Sequence, residues 1–135
     1  SKRVLELHGN WSRLTCTGCG EHFTLNDVDD ARSGSVPHCP TCASVLRPDI
    51  VFYGEMLDSD VIEGAVRAIT EADLLIVAGT SLVVHPAAGL IDYYTGERLV
   101  LMNATSTPYD SRADLIIREP VGQVFHELER LRPRP

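Results

Sequence analysis

The sequence predicts an α/β protein: half of a doubly wound parallel sheet joined to a small lobe built on four cysteines. Three observations carry that prediction. The only four cysteines of the 135-residue chain are spaced Cys16-x-x-Cys19 and Cys39-x-x-Cys42, with nineteen residues between the pairs. From Ile50 onward, short apolar runs alternate with stretches whose apolar residues recur at helical period. Three of those runs, residues 74–78, 99–102 and 115–117, are apolar throughout, as strands are when both sheet faces are covered.

The chain opens on Ser1 and not on an initiator methionine, so its beginning reads as cut from a longer protein. Val4, Leu5, Glu6 and Leu7 read as a short strand, and residues 1–9 as a connector to a missing N-terminal half. Residues 10–47 are poor in long apolar runs and rich in Thr, Gly, Asp and Ser. Such a segment buries little, so a metal should be what folds it. Two matched C-x-x-C pairs have the spacing of two zinc knuckles. Four thiolates, from Cys16, Cys19, Cys39 and Cys42, close a tetrahedron around Zn2+ and leave no open position, which makes the site structural. The alternatives are a pair of disulfides or a thioredoxin-like redox pair. A bridge within one C-x-x-C loop constrains little chain, and nothing at the N-terminus of the sequence resembles a secretory signal. A redox pair needs one motif opening a helix and not two matched ones. Free thiols or zinc thiolates place the protein in a reducing compartment, the cytoplasm.

Ile50, Val51, Phe52 and Tyr53 read as a brief strand ended by Gly54. Asp58 or Ser59 then caps a helix whose apolar face is Val61, Ile62, Ala65, Val66 and Ile69. After the strand at 74–78, Pro86 opens a helix through Ala87, Leu90 and Ile91. Strands at 99–102 and 115–117 follow. Pro120 suits the first position of a last helix carrying Val121, Val124, Phe125, Leu128 and Leu131, which runs out into residues 132–135 as a natural end. Strands alternating with helices imply βαβ units and a parallel sheet. Ligands of such sheets bind beyond the carboxyl ends of the strands, here at Gly79-Thr80-Ser81, at Asn103-Ala104-Thr105 and just after Ile117. No G-x-G-x-x-G or P-loop motif occurs.

The formal charge of −7 becomes more negative still with a tetrathiolate zinc, which disfavours phosphate backbones and argues against a nucleic-acid partner. The 44% hydrophobic content suffices for a core, and no stretch is long and apolar enough to span a membrane.

The cysteine spacing, LRPDIVFYGE at 46–55, AGTSLVVHPAAGL at 78–90 and the Asn103 loop occur together and in this order. In that combination the chain closely resembles the sirtuins, the NAD-dependent protein lysine deacylases, from Glu6-Leu7-His8-Gly9 to the last helix. The resemblance implies the C-terminal part of a catalytic domain: a zinc lobe at 10–47 and, at 48–135, the C-terminal half of a Rossmann-like NAD-binding domain. It also implies that the glycine-rich NAD loop and the catalytic histidine precede Ser1, so this chain carries no catalytic residue of its own and is inactive alone. His8 belongs to the stretch leading into the zinc lobe and is structural. His22, His38, His85 and His126 read as surface or packing residues.

By the same resemblance, an acylated lysine enters an apolar tunnel while its backbone lies as a strand between two loops. Val51, Phe52, Tyr53, Gly54 and Glu55 match one loop; Leu82, Val83 and Val84 match the other. By composition alone, residues 51–53 would be an ordinary core strand, and only the motif match reverses that. Gly79, Thr80 and Ser81 match the family's NAD-contacting turn. Asn103, with Ala104 and Thr105, matches the residue facing the adenosine ribose, and Val121 falls where the adenine packs. Each would be commonplace as a turn or cap residue in any α/β protein. The implied reaction moves the acyl group to ADP-ribose: the acyl oxygen attacks the ribose carbon that holds nicotinamide, and nicotinamide leaves. Two sites, three residues in all, depart from the family pattern. Ala43-Ser44 stands after Cys42 where glycines are common, and Tyr53 where phenylalanine is frequent. The competing readings are a sirtuin-related NAD hydrolase or ADP-ribosyltransferase, whose zinc-free relatives make the cysteines count against it, and a non-catalytic zinc and interaction module.

Overall fold

A computed structural model of the chain describes residues 2–28 and 34–131. The predicted run-out of the last helix into 132–135 lies outside the described residues. The chain divides into two compact units, Ser1–Ile62 and Glu63–Pro135.

The first unit holds a three-stranded antiparallel sheet of β1 (Gly9–Cys16), β2 (His22–Thr24) and β3 (Leu46–Ile50), in the order β2-β1-β3. Residues 4–7 are not the expected strand. The Gly9 N–H donates instead to the Glu6 carbonyl (2.9 Å) in a turn, and β1 begins at Gly9. Gly9 has φ +77°, and a Cβ there would lie 1.9 Å from the Asp49 carbonyl oxygen, so only glycine lets β1 start so close to β3. The register of the two strands shifts between Asn10 and Leu14, opposite Asp49 and Pro48. Pro48 is accommodated because β3 is an edge strand. Leu14, Cys16, Val28, Cys39 and Leu46 form a small core, with Phe23 and Leu25 packed against it.

The strand expected at 50–53 is also displaced: β3 ends where it should have started. The Val51 N–H donates to the His8 carbonyl (3.0 Å), and the chain then turns. The Glu55 N–H closes onto the Phe52 carbonyl (3.0 Å), with Gly54 at φ +86° in the third position, as a type II turn requires.

Helix α1 (Ser59–Thr70) contains the division between the units. Its cap is Asp58, whose Oδ1 accepts from the N–H groups of Asp60 (2.8 Å) and Val61 (3.1 Å). In the second unit β4 (Leu75–Ala78), β5 (Leu99–Met102) and β6 (Leu115–Ile117) pair in parallel, in that order. A 3-10 helix, Ala87–Tyr93, stands where a helix after Pro86 was predicted, and a shorter one, Asp110–Arg112, precedes β6. Leu82, Ala88, Ile91, Tyr94, Leu99 and Leu101 form the core; Ile69, Leu75 and Val77 pack on it. The pattern predicted a sheet covered on both faces, yet Leu74, Ile76, Leu115 and Ile116 are 37–51% exposed. Helix α2 (Val121–Leu131) begins one residue after Pro120, which serves as its cap: the Pro120 carbonyl accepts from the N–H groups of Gln123 (2.9 Å) and Val124 (3.2 Å).

Candidate functional site

The four cysteines converge. Their sulfur atoms all lie within 4.8 Å of one another, with Cys16 and Cys39 buried and Cys19 and Cys42 exposed. Cys16 Sγ is 3.4 Å from Cys42 Sγ, and Cys19 Sγ is 3.7 Å from Cys39 Sγ. Zinc–sulfur bonds of about 2.3 Å in a tetrahedron set sulfurs roughly 3.8 Å apart, so the cluster has the size of a zinc tetrathiolate. The knuckles also repeat one bonding pattern. Gly20 N–H donates to Cys16 O (3.0 Å) as Ala43 N–H does to Cys39 O (2.8 Å), and the Cys16 and Cys39 N–H groups donate to Glu21 O and Ser44 O. The residue after each second cysteine is left-handed, Gly20 at φ +75° and Ala43 at φ +59°.

The electrostatics of the cluster call for a cation. The Cys19 and Gly18 amides hold the Cys16 thiol below its ordinary value. The Ser44 hydroxyl and amide, with Cys16, bring Cys42 down to about 6. Cys19 receives a stabilising amide bond from Glu21, yet Cys16, desolvation, Cys42 and Cys39 together push it up to about 12. Thiolates packed this closely repel one another unless a cation lies among them, and four sulfur donors at this spacing suit Zn2+. The cluster contains no histidine; His22 Nδ1 is instead 3.0 Å from Thr15 Oγ1.

The turn at residues 51–55 belongs to the first unit and is clamped by Arg47. The Arg47 guanidinium donates to the Glu55 carboxylate (2.5 Å) and to the Ile50 carbonyl (3.3 Å), and lies 5.1 Å from the centre of the Phe52 ring. Glu55 Oε2 also accepts from the Phe52 N–H (3.0 Å). That amide bond and Arg47 hold the Glu55 carboxyl below its usual range. Val51 is half-buried, Phe52 is 50% exposed and Tyr53 is 99% exposed.

In the second unit the predicted strand-end residues line the carboxyl edge of the sheet. Gly79, at φ +67°, donates to the Met102 carbonyl (2.9 Å), and a Cβ on it would stand 3.8 Å from Val121 Cγ2. Gly79 and Val121 are thus brought together, with Thr80 and Ser81 exposed beside them. Thr80 Oγ1 accepts from the Leu82 N–H (3.2 Å). Leu82 itself, at φ +54°, turns its side chain into the core, so only Val83 and Val84 present apolar side chains to solvent.

Asn103 sits at the end of β5, its N–H bonded to the Ile117 carbonyl (3.0 Å). Its Nδ2 donates to Thr105 O (3.0 Å) and Thr105 Oγ1 (3.2 Å), which leaves Oδ1 as the remaining acceptor. The 103–105 loop is held by a residue the sequence reading passed over. Arg118 Nη1 donates to the carbonyls of Asn103 (3.2 Å) and Thr105 (3.0 Å), and its Nη2 pairs with Asp110. Arg47 was missed likewise. The signals were present, since Arg118 directly follows Ile117 at a strand end and Arg47 lies within LRPDIVFYGE.

Comparison with known proteins fits this arrangement. The Sir2 family model matches residues 1–86. The NAD-dependent protein deacetylase of Clostridium acetobutylicum is 48% identical over 125 residues, 93% of this chain and 51% of that protein. That of Staphylococcus aureus is 45% identical over 128 residues, 95% of this chain and 51% of the relative. A solved Sir2 structure with a p53 peptide and NAD+ matches at TM-score 0.84 and 40% identity, over 97% of this chain and 56% of that one. Sir2 bound to an acetylated peptide matches at TM-score 0.84 and 39% identity, over 97% and 56%. The chain spans about half the length of the curated relatives it matches. With the family model covering more than half of its residues, the chain belongs to the Sir2 family, the sirtuins.

Proposed function

We propose that this chain is the C-terminal part of an NAD-dependent protein lysine deacylase, working in a reducing, cytoplasmic setting with an N-terminal half that completes the domain. The observation that carries the reading is the strand-end constellation: Gly79 against Val121, and Asn103 with its carboxamide oxygen left as an acceptor. Relatives named deacetylases, 45–50% identical over nearly the whole chain, support it.

In this reading residues 10–47 are the zinc lobe and 48–135 half of the NAD-binding domain. Cys16, Cys19, Cys39 and Cys42 hold a structural zinc, too fully ligated to activate water. The backbone at Val51, Phe52, Tyr53, Gly54 and Glu55, and that at Leu82, Val83 and Val84, binds the acyl-lysine peptide by strand addition, which accepts many sequences. The exposed valines favour a neutralised lysine over a charged one. Gly79, Thr80 and Ser81 give room and hydroxyl donors for phosphate or ribose. Asn103 Oδ1, beside Ala104 and Thr105, accepts from a ribose hydroxyl, and Val121 packs the adenine. NAD, when bound, supplies the ribose carbon that takes the acyl oxygen and nicotinamide as leaving group. The general base comes from the N-terminal half.

The test is nicotinamide release from NAD, with and without an acetyl-lysine peptide, for the chain alone and joined to its N-terminal half. Peptide-dependent release by the joined protein alone is the expected result. Release without peptide would make the protein an NAD hydrolase, and no release from the joined protein would leave a binding module.

A further inference from the structure

We propose that Arg118 is a positioning residue for nucleotide binding: its guanidinium fixes the 103–105 loop so that Asn103 presents its carboxamide oxygen in one place. The inference rests on the reading of that loop as part of the ribose site and adds to it a residue with no contact to the ligand.

Residues 104–106 make no backbone–backbone hydrogen bond among the described residues, so side chains set the loop's shape. Two do so. Asn103 Nδ2 closes onto Thr105 from within. Arg118 closes it from outside, with one nitrogen on the carbonyls of both Asn103 and Thr105 and the other on Asp110. Asp110 is anchored in turn, its Oδ1 accepting from the Thr107 N–H (3.1 Å) and hydroxyl (2.8 Å). One planar cation thus ties the end of β6 to the end of β5 and to the 3-10 helix Asp110–Arg112. The fork geometry matters. A guanidinium can hold two carbonyls and a carboxylate at fixed angles, whereas an ammonium is a point charge on a flexible stem. The Thr107–Asp110 bonds do not involve Arg118, so its removal should loosen the loop without unfolding the sheet.

The experiment uses the full-length protein, with the chain joined to its own N-terminal half, and measures NAD-dependent removal of acetyl from an acetyl-lysine peptide. Loss of the charge-assisted anchors in Arg118→Ala should raise KM for NAD about tenfold, with kcat and KM for the peptide within about twofold. Arg118→Lys should fall between, at about threefold, because it restores the Asp110 pair and not the double carbonyl grip. Amide hydrogen exchange at 104–107 should speed up in Arg118→Ala while β5 stays protected. An unchanged KM for NAD in a folded Arg118→Ala protein overturns the proposal, as does a parallel fall in kcat and in affinity for both substrates. Should Arg118→Ala not fold, Arg118→Lys decides: a raised KM for NAD at full kcat supports the proposal, and a wild-type KM overturns it. If the unaltered protein removes no acetyl group, the reading of the ribose site fails first and Arg118 falls with it.

Discussion

Ala43 occupies a left-handed backbone position, φ +59°, that its counterpart Gly20 fills without strain in the other knuckle. An L-residue there costs roughly 1–2 kcal/mol relative to glycine. Its amide still makes the required bond to Cys39 O, so the metal loop is built correctly but under tension. Ala43→Gly should therefore stabilise the metal-bound lobe by about 1 kcal/mol. The measurements are the thermal midpoint of the zinc-loaded protein and the rate at which a chelator withdraws zinc. A lower midpoint or faster release would contradict the strain argument. That Ala43 departs from a common glycine is visible in the sequence, whereas its φ is not. Leu82 shows the same geometry with another compensation: at φ +54° it is 7% exposed, and core burial offsets the strained backbone.

Among the elements, the turn at 51–55 shows how a cation and a carboxylate can end a strand. Glu55 was expected to meet the peptide, yet its carboxylate is engaged by Arg47 and by the Phe52 N–H. Because its carboxyl lies below the usual range, the clasp is complete above the ordinary glutamate value of about 4.3 and is lost as pH falls through the lowered one. From pH 7 to 5 this group should leave peptide affinity unchanged, with loosening only in more acid solution. Glu55→Gln removes the charge at every pH. In the full-length protein it should raise KM for the acetyl peptide a few-fold, because a charge-assisted bond to the turn is weakened, while KM for NAD stays put. A shift in the NAD constant alone would show that the clasp serves another site. Strands at 99–102 and 115–117 were legible because both are apolar throughout, although burial accounts for this at 99–102 and not at exposed Leu115 and Ile116. Leu46–Ile50 was not, because Arg47, Pro48 and Asp49 interrupt any apolar pattern and only the pairing with β1 makes them a strand.

On the scale of the whole molecule, the parallel sheet has, among the described residues, three strands, two unpaired edges and one apolar face open to solvent at Leu74, Ile76 and Leu115. Phe125, Leu128 and Leu131 on α2 are likewise 48–77% exposed. Bare sheet edges and apolar faces promote association. The 135-residue chain alone should therefore self-associate, its sedimentation coefficient rising with concentration; a monomer across the micromolar range would show that these surfaces are inert. The candidate site was legible where chemistry is written in short spacings, as in the two C-x-x-C pairs, or where topology fixes a place, as at Gly79 and Asn103. It was illegible where a long side chain chooses its partners from the folded backbone. Nothing in the order of residues says that Arg118 will reach back to the carbonyls of Asn103 and Thr105.

The repeated bonding of the two knuckles gives the lobe a division of labour. Each knuckle is a complete local shape with only half of the ligands, so neither can hold a metal and each has meaning only through the other. Nineteen residues separate Cys19 from Cys39 in the sequence, and doubling the length of a loop costs only about 0.6 kcal/mol in closure entropy. A metal shared by the two knuckles makes the lobe a clasp: each jaw is shaped by its own local bonds, and lengthening the chain that joins them costs little.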